Sequence, residues 1–234
     1  MKKNLNQKLI NLIEYYNLTN INLFLSESSI VRNLTESNSH SNKVKLEKLN
    51  KLENKIKNIK NCDLKNSASN IVFGDGNTSA KIMFIGEGPG AQEDSEGIPF
   101  VGRAGKLLDK MLESIKLNRS KVYISNVVNY RPPLNRRPTE SEIKRYLPFL
   151  KEHIEIINPK ILVLLGSTAL NTLVGNEVVI SKARGKWIQR KIGLANPWII
   201  ATFHPAFLMR QPEQKKFAWI DLKMIREKSK ILKI

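Results

Sequence analysis

Residues 81–106 read KIMFIGEGPGAQEDSEGIPFVGRAGK, and the rest of the chain can be placed relative to them. The apolar run Ile82-Met83-Phe84-Ile85 has the length and composition of a strand buried on both faces. It stops at Gly86, and Glu87-Gly88-Pro89-Gly90 can neither prolong a strand nor open a regular helix. Glycine lets a backbone approach a ligand closely, while Pro89 sets one φ and removes one N–H. The expectation is a stiff loop with exposed amides at the carboxyl end of a strand, where open α/β sheets hold their ligands. Acidic Glu93 and Asp94 follow, then Gly97 and the aromatic Phe100, before a helix opening near Gly102. Two carboxylates and a ring on one loop suit a pocket for a flat, polar molecule.

Outward from this stretch, strand-like and helix-like runs alternate to the end of the chain. That alternation predicts an α/β fold, a three-layer αβα sandwich around a central, mainly parallel four-stranded sheet. The strands are expected at 81–85, 121–127, 160–165 and 198–203, and the helices at 103–115, 139–157, 167–174 and 213–231. Thr139 followed by Glu142 fits a capping box, and Gly166-Ser167 ends one strand and caps the next helix. Residues 178–191 suit an edge strand or hairpin. Toward the N-terminus, Leu5, Leu9, Leu12, Ile13 and Tyr16 recur at helical spacing, which predicts an amphipathic helix over 4–16. Residues 33–45 are polar enough to read as a linker. Helical spacing returns over 44–59 with a heavily charged face, as expected of a solvated helix. The domain reading is therefore a helical extension with a polar linker over 1–60, and the main domain over 61–234.

Lys and Arg outnumber Asp and Glu 39 to 21, for a net charge of +18. This suits a polyanionic partner, although the excess lysine is spread widely, as a general compositional bias would spread it. The single cysteine, Cys62, excludes an intrachain disulfide and suits a reducing compartment. No run resembles a signal peptide or approaches the ~20 apolar residues of a membrane span. A soluble, intracellular protein is expected.

In a parallel sheet the carboxyl ends of the strands share one rim. There the first strand delivers Gly86-Glu87-Gly88, the second Ser125-Asn126, and the fourth Thr202-Phe203-His204-Pro205. A turn former would account for Asn126 and a cap for His204, taken singly; convergence of Glu, Asn and His on one rim argues for a site. Other motifs fail. Gly102-Arg103-Ala104-Gly105-Lys106 lacks the Ser or Thr of a phosphate loop, having Leu107 there, and its first glycine would fall at Phe100. Gly86 to Ala91 fits a dinucleotide pattern, but an acidic loop stands where a pyrophosphate would lie. His40, His153 and His204 are too scattered for a hydrolytic zinc site, so no metal ligands are assigned.

Three blocks in order, GEGPGAQEDSEGIPFVGRAGKLLDKML, NVVNYRPPLNRRPT and TFHPAFLMR, resemble the characteristic blocks of family 4 uracil-DNA glycosylases. The resemblance runs from about residue 62 to about residue 225. It implies a monofunctional enzyme that hydrolyses the N-glycosidic bond of deoxyuridine in DNA, releasing uracil and leaving an abasic site for base excision repair. By motif, the backbone of Gly86, Glu87 and Gly88 lines the uracil pocket, Phe100 stacks on the flipped base, Asn126 reads its polar edge and His204 meets O2. Glu93 is similar to the carboxylate that excludes a thymine methyl, and Glu87 or Glu93 is expected to orient water or favour the cationic sugar. Arg131, Arg136 and Arg137, spaced by prolines, and Arg210 are expected to contact DNA phosphates, while Leu208 and Phe207 suit either entry into the base stack or a place in the core. Most members bind a [4Fe–4S] cluster through four cysteines; the matching positions here are Cys62, Lys65, Tyr130 and Tyr146. One thiolate cannot hold a cluster, so none is expected, and packing of the two tyrosines, with a Lys65 contact, is expected in its place. The basic insertion of covalently trapping relatives is missing after Arg131. A monomer acting on uracil-containing DNA in a bacterial cytoplasm, at the nucleoid, is the resulting expectation. The alternative is a non-catalytic, polymerase-associated DNA-binding protein on the same fold.

Overall fold

The computed structural model describes the backbone of residues 34–175 and 178–234, with side chains from residue 42 onward in those ranges. The chain divides into two compact units, Met1–Ser39 and His40–Ile234. The helix expected over 4–16 lies outside the described residues.

The second unit is built on six strands: β1 (Asp75–Gly76), β2 (Ile82–Gly86), β3 (Tyr123–Asn126), β4 (Ile161–Leu165), β5 (Ile188–Gln189) and β6 (Trp198–Thr202). Their order is β1-β3-β2-β4-β6-β5. The four expected strands form the parallel centre, in register Ile85 with Ser125, Ile85 with Leu164, and Leu164 with Ala201. Two-residue antiparallel strands close the edges, β1 beside β3 and β5 beside β6. The four-stranded expectation is thus extended to six, and residues 178–191 supply one edge, preceded by a short helix, Ile180–Ala183.

Every residue of β2 and β4 is buried, because helices cover both faces of the sheet. Alternation along the strands divides the core in two. Ile82, Phe84, Ile161, Val163 and Ile200 face α4 (Arg103–Ser114) and α9 (Lys215–Ile231), through Leu108, Leu112, Leu222 and Ile225. Met83, Ile85, Leu162, Leu164 and Ile199 face α1 (Leu34–Lys57), α5 (Glu140–Ile157) and α6 (Ser167–Leu173), through Leu52, Ile56, Tyr146, Ile154 and Leu170. The remaining helices are α2 (Asp63–Ser67), α3 (Ala91–Glu96), α7 (Ile180–Ala183) and α8 (Pro205–Arg210). The layering is the expected αβα sandwich. The capping box forms as its sequence requires: Thr139 Oγ1 accepts from Glu142 N–H at 3.2 Å, and Thr139 N–H donates to Glu142 at 2.7 Å.

The start of the domain needs correction. α1 takes in residues 34–45, where polar composition had suggested a linker. Its stripe Leu49, Leu52 and Ile56 belongs to the core rather than to a solvated surface. A helix anchored by packing at one end propagates cheaply through polar residues, since its nucleus is already formed. Among the described residues no helix is long and apolar enough to cross a membrane.

Candidate active site

The carboxyl ends of β2, β3 and β6 open onto one small cavity of about 180 Å³, lined by Glu87, Gly88, Glu93, Phe100, Asn126 and His204 among others. Residues from three separate strands thus meet around one space. Gly86 is not itself among the lining residues but packs against two of them, Phe100 and Asn126. A Cβ there would lie 2.5 Å from Phe100 Cζ and overlap Asn126 Oδ1, so only glycine lets ring and carboxamide approach the strand this closely. The Asn126 carboxamide is buried, and its Oδ1 has no protein hydrogen-bond partner among the described residues.

His204 caps α8 by accepting the Ala206 N–H on Nδ1, at 3.1 Å. Burial, with a smaller contribution from Arg210, pushes its imidazole down to about 4. At neutral pH the ring is therefore uncharged, with its proton on Nε2, the nitrogen left free to donate. A Cβ on Gly166, whose φ is +88°, would stand 3.0 Å from His204 Cβ, so glycine leaves room for the histidine there. The strand carrying His204 is tied down from behind. Thr202 Oγ1 donates to Asp221 at 2.7 Å, and Arg184 makes a paired contact with the same buried carboxylate at 2.5 and 3.0 Å.

Phe100 holds a left-handed backbone, φ 56°, that non-glycine residues avoid. Its carbonyl accepts from Arg119, which also donates to Pro99 O at 2.9 Å and pairs with Asp75 at 2.7 Å and Asp109 at 2.9 Å. Gly105 faces that same carbonyl, where any Cβ would overlap it. These contacts hold the Phe100 ring in the cavity wall, its centroid 5.6 Å from that of His204. Neither Arg119 nor Gly105 was singled out for this by sequence.

The two carboxylates are held differently. Glu93 accepts Gly102 N–H at 2.8 Å on Oε1 and Gly90 N–H at 3.1 Å on Oε2, buckling the glycine loop to the start of α4. Glu87 accepts from Thr168 on Oε2, while its Oε1 has no protein donor among the described residues. Thr168 is a contact that sequence reading missed; it lies one residue past the Gly166-Ser167 signal noted there.

The basic loop after β3 borders the same space. Pro132, Asn135, Arg136 and Pro138 line the small cavity, while Arg137 and Arg210 line a wider one of about 480 Å³ that shares Glu87, Gly88, Asn135 and His204 with it. Arg131 donates to Asn135 at 2.8 Å, and Arg136 makes a two-pronged contact with Glu142 at 2.6 and 2.8 Å. Arg137 and Arg210 have no carboxylate partner among the described residues. Leu208 requires correction: it is 1% exposed, packed in the core beneath α8, and cannot reach a base stack. Phe207 is half-buried against Phe203, their centroids 5.0 Å apart.

The positions matching the cluster cysteines do not fit a cluster. Cys62 Sγ lies 3.3 Å from Tyr146 Oη, and both, with Tyr130, are buried in the core shared with α1 and α5. Lys65 makes its contact with the end of α1, donating to Lys57 O at 2.5 Å. Two phenols beside a single thiol cannot supply four thiolates, and no group of three His, Cys, Asp or Glu suited to a metal occurs among the described residues.

A family model described as the uracil DNA glycosylase superfamily matches residues 73–223. Over 125 residues the chain is 50% identical to a type-4 uracil-DNA glycosylase of Thermotoga maritima, covering 53% of this chain and 64% of that protein. It is 39% identical over 145 residues to a type-4 uracil-DNA glycosylase of Archaeoglobus fulgidus, covering 60% of this chain and 73% of that one. A DNA polymerase of Bacillus phage SP01 is 32% identical over 127 residues, which is 54% of this chain and 13% of the polymerase. The chain spans less than two thirds of the length of the Thermotoga relative. The three converging strand ends and the extent of the family match lead to one conclusion: the chain belongs to the uracil-DNA glycosylase superfamily.

Proposed function

We propose that the protein excises uracil from DNA by hydrolysing the N-glycosidic bond, leaving an abasic site. The observation that carries the reading is the shared cavity of Phe100, Asn126 and His204, with the histidine tautomer set by Ala206. The flipped base lies against Phe100. Asn126 Oδ1 accepts from uracil N3–H while Nδ2 donates to O4; cytosine offers the reverse pattern and leaves buried groups unpaired. As the bond breaks, negative charge gathers on the uracil oxygens, and the Nε2–H of neutral His204 stabilises it at O2. One pre-positioned donor of this kind is worth roughly 10²–10³ in rate. Glu87, with one oxygen held by Thr168 and the other open, suits water orientation or support of the cationic sugar. Glu93, with an N–H on each oxygen, suits shaping the loop where a thymine methyl would enter. Gly86 and Gly88 present backbone to the base, and Arg137 and Arg210 suit DNA phosphates; Arg131, beside Asn135 and Asp94, and Arg136, on Glu142, reach them on leaving those partners.

The protein works without the family's [4Fe–4S] cluster, the Cys62–Tyr146–Tyr130 packing standing in its place. It acts as a monomer on uracil-containing DNA in a bacterial cytoplasm, at the nucleoid. One observation favours a second reading, an accessory that binds DNA without chemistry: the similarity to part of a phage DNA polymerase. A single-turnover assay on a uracil-bearing oligonucleotide, followed by alkali, separates the two. Strand breakage lost in His204→Ala and Asn126→Ala supports excision; binding without breakage supports the accessory.

A further inference from the structure

Leu134 is out of place for an apolar side chain. It is 96% exposed, more than any other large hydrophobic residue among those described. It sits at the tip of Arg131-Pro132-Pro133-Leu134-Asn135-Arg136-Arg137-Pro138, with φ 55° and ψ 22°, and Asn135 beside it also has φ 56°. Two successive left-handed residues with side chains are rare, because the Cβ crowds the carbonyl. This tip is nonetheless firmly held. Asn135 N–H donates to Pro132 O at 3.0 Å, Arg136 N–H to Pro133 O at 3.1 Å, and Arg131 to the Asn135 side chain at 2.8 Å. Pro132 and Pro138 are buried, and Arg136 is clamped to Glu142. The loop therefore presents its leucine to solvent on a braced arm.

Its placement gives the exposure a use. Pro132, Asn135 and Arg136 line the small cavity, and Asn135 and Arg137 the wider one, so Leu134 projects from the rim between residues that border both. The apolar side chains of α8 are poor competitors: Leu208 is in the core and Phe207 packs on Phe203. Extruding a base from a duplex leaves an unstacked gap, which apolar side chains fill in proteins that open the stack. We infer that Leu134 enters the duplex at the position vacated by the extruded nucleotide. The arginines on either side hold the backbone there. This inference rests on the proposed excision of uracil and deepens it.

Leu134→Gly tests it, because glycine accepts φ 55° and leaves the loop intact while removing the side chain. Single-turnover excision is measured on a uracil-containing duplex and on the same uracil strand alone. The expected result is a duplex rate lowered roughly ten- to a hundred-fold, the burial value of one leucine, with the single-strand rate within about two-fold of wild type. 2-Aminopurine beside the uracil, read in a His204→Ala background, should brighten on binding with Leu134 and stay dim with Leu134→Gly. Equal losses on both substrates, or no loss on the duplex, overturn the inference. Should wild type release no uracil from either substrate, the excision reading fails by itself, and the 2-aminopurine signal still decides the role of Leu134.

Discussion

Asn126 offers a test in which activity falls while stability holds. Its Oδ1 is buried in the cavity wall and accepts from no protein donor among the described residues. Asn126→Ala therefore breaks no protein hydrogen bond at that oxygen, and the space it leaves opens onto the existing cavity rather than creating a sealed void. The unliganded variant should be within about 1 kcal/mol of wild type. For a chain of this size that is a Tm within roughly 4 °C of wild type. Excision should nevertheless fall about 100-fold or more, because uracil N3–H and O4 lose their partners in a desolvated site. Thermal unfolding with and without free uracil, alongside single-turnover cleavage, gives all the quantities. Uracil should raise the Tm of wild type and not of the variant. A loss above about 2 kcal/mol in the unliganded variant would make the carboxamide a structural group and refute the reasoning, as would full cleavage activity.

Gly86→Ala should abolish excision while leaving a folded protein, since its Cβ would press on Phe100 and Asn126; circular dichroism and the cleavage assay check both halves. Glu93→Gln keeps an acceptor for only one of the Gly90 and Gly102 amides, so a loss of about 1–3 kcal/mol is expected in urea unfolding. Burial pushes His153 down to about 3 and His204 to about 4, so between those values and 6.5 the unfolded chain binds more protons than the folded one. Stability should therefore be complete above pH 6.5 and fall as pH drops, by about 1.4 kcal/mol per pH unit for each imidazole titrating; His153→Gln should flatten that slope in denaturant titrations from pH 7 to 4. Tyr146→Phe should cost about 0.5–1.5 kcal/mol through the lost contact with Cys62, and iron analysis of the purified wild type should find no stoichiometric metal.

The parallel centre of the sheet was legible because its strands are short apolar runs between turn formers. A run buried on both faces, such as Ile161–Leu165, leaves little ambiguity once helices flank it. Asn126 and His204 could be placed together for the same reason: parallel strands bring their carboxyl ends to one rim. The edge strands were harder to see, since a two-residue pairing such as Ile188–Gln189 carries no periodic signal. Leu208 stays open between base stack and core on sequence alone, because a hexapeptide helix shows too few turns to reveal which side faces inward. The supports behind the site, Arg119 on the Phe100 carbonyl and Thr168 on Glu87, are long-range contacts of single polar residues, which no local pattern announces. The polar stretch over 34–45 misled for the opposite reason: local composition argued against order, and packing further along the helix overrode it.

That same helix bears on how the protein can be handled in the laboratory. A truncation placed at residue 60, where the composition changes, would remove Leu49, Leu52 and Ile56 and bare the sheet-side apolar wall they cover. Shortened versions should instead keep everything from His40, the first residue of the larger compact unit, and fusion partners belong upstream of it.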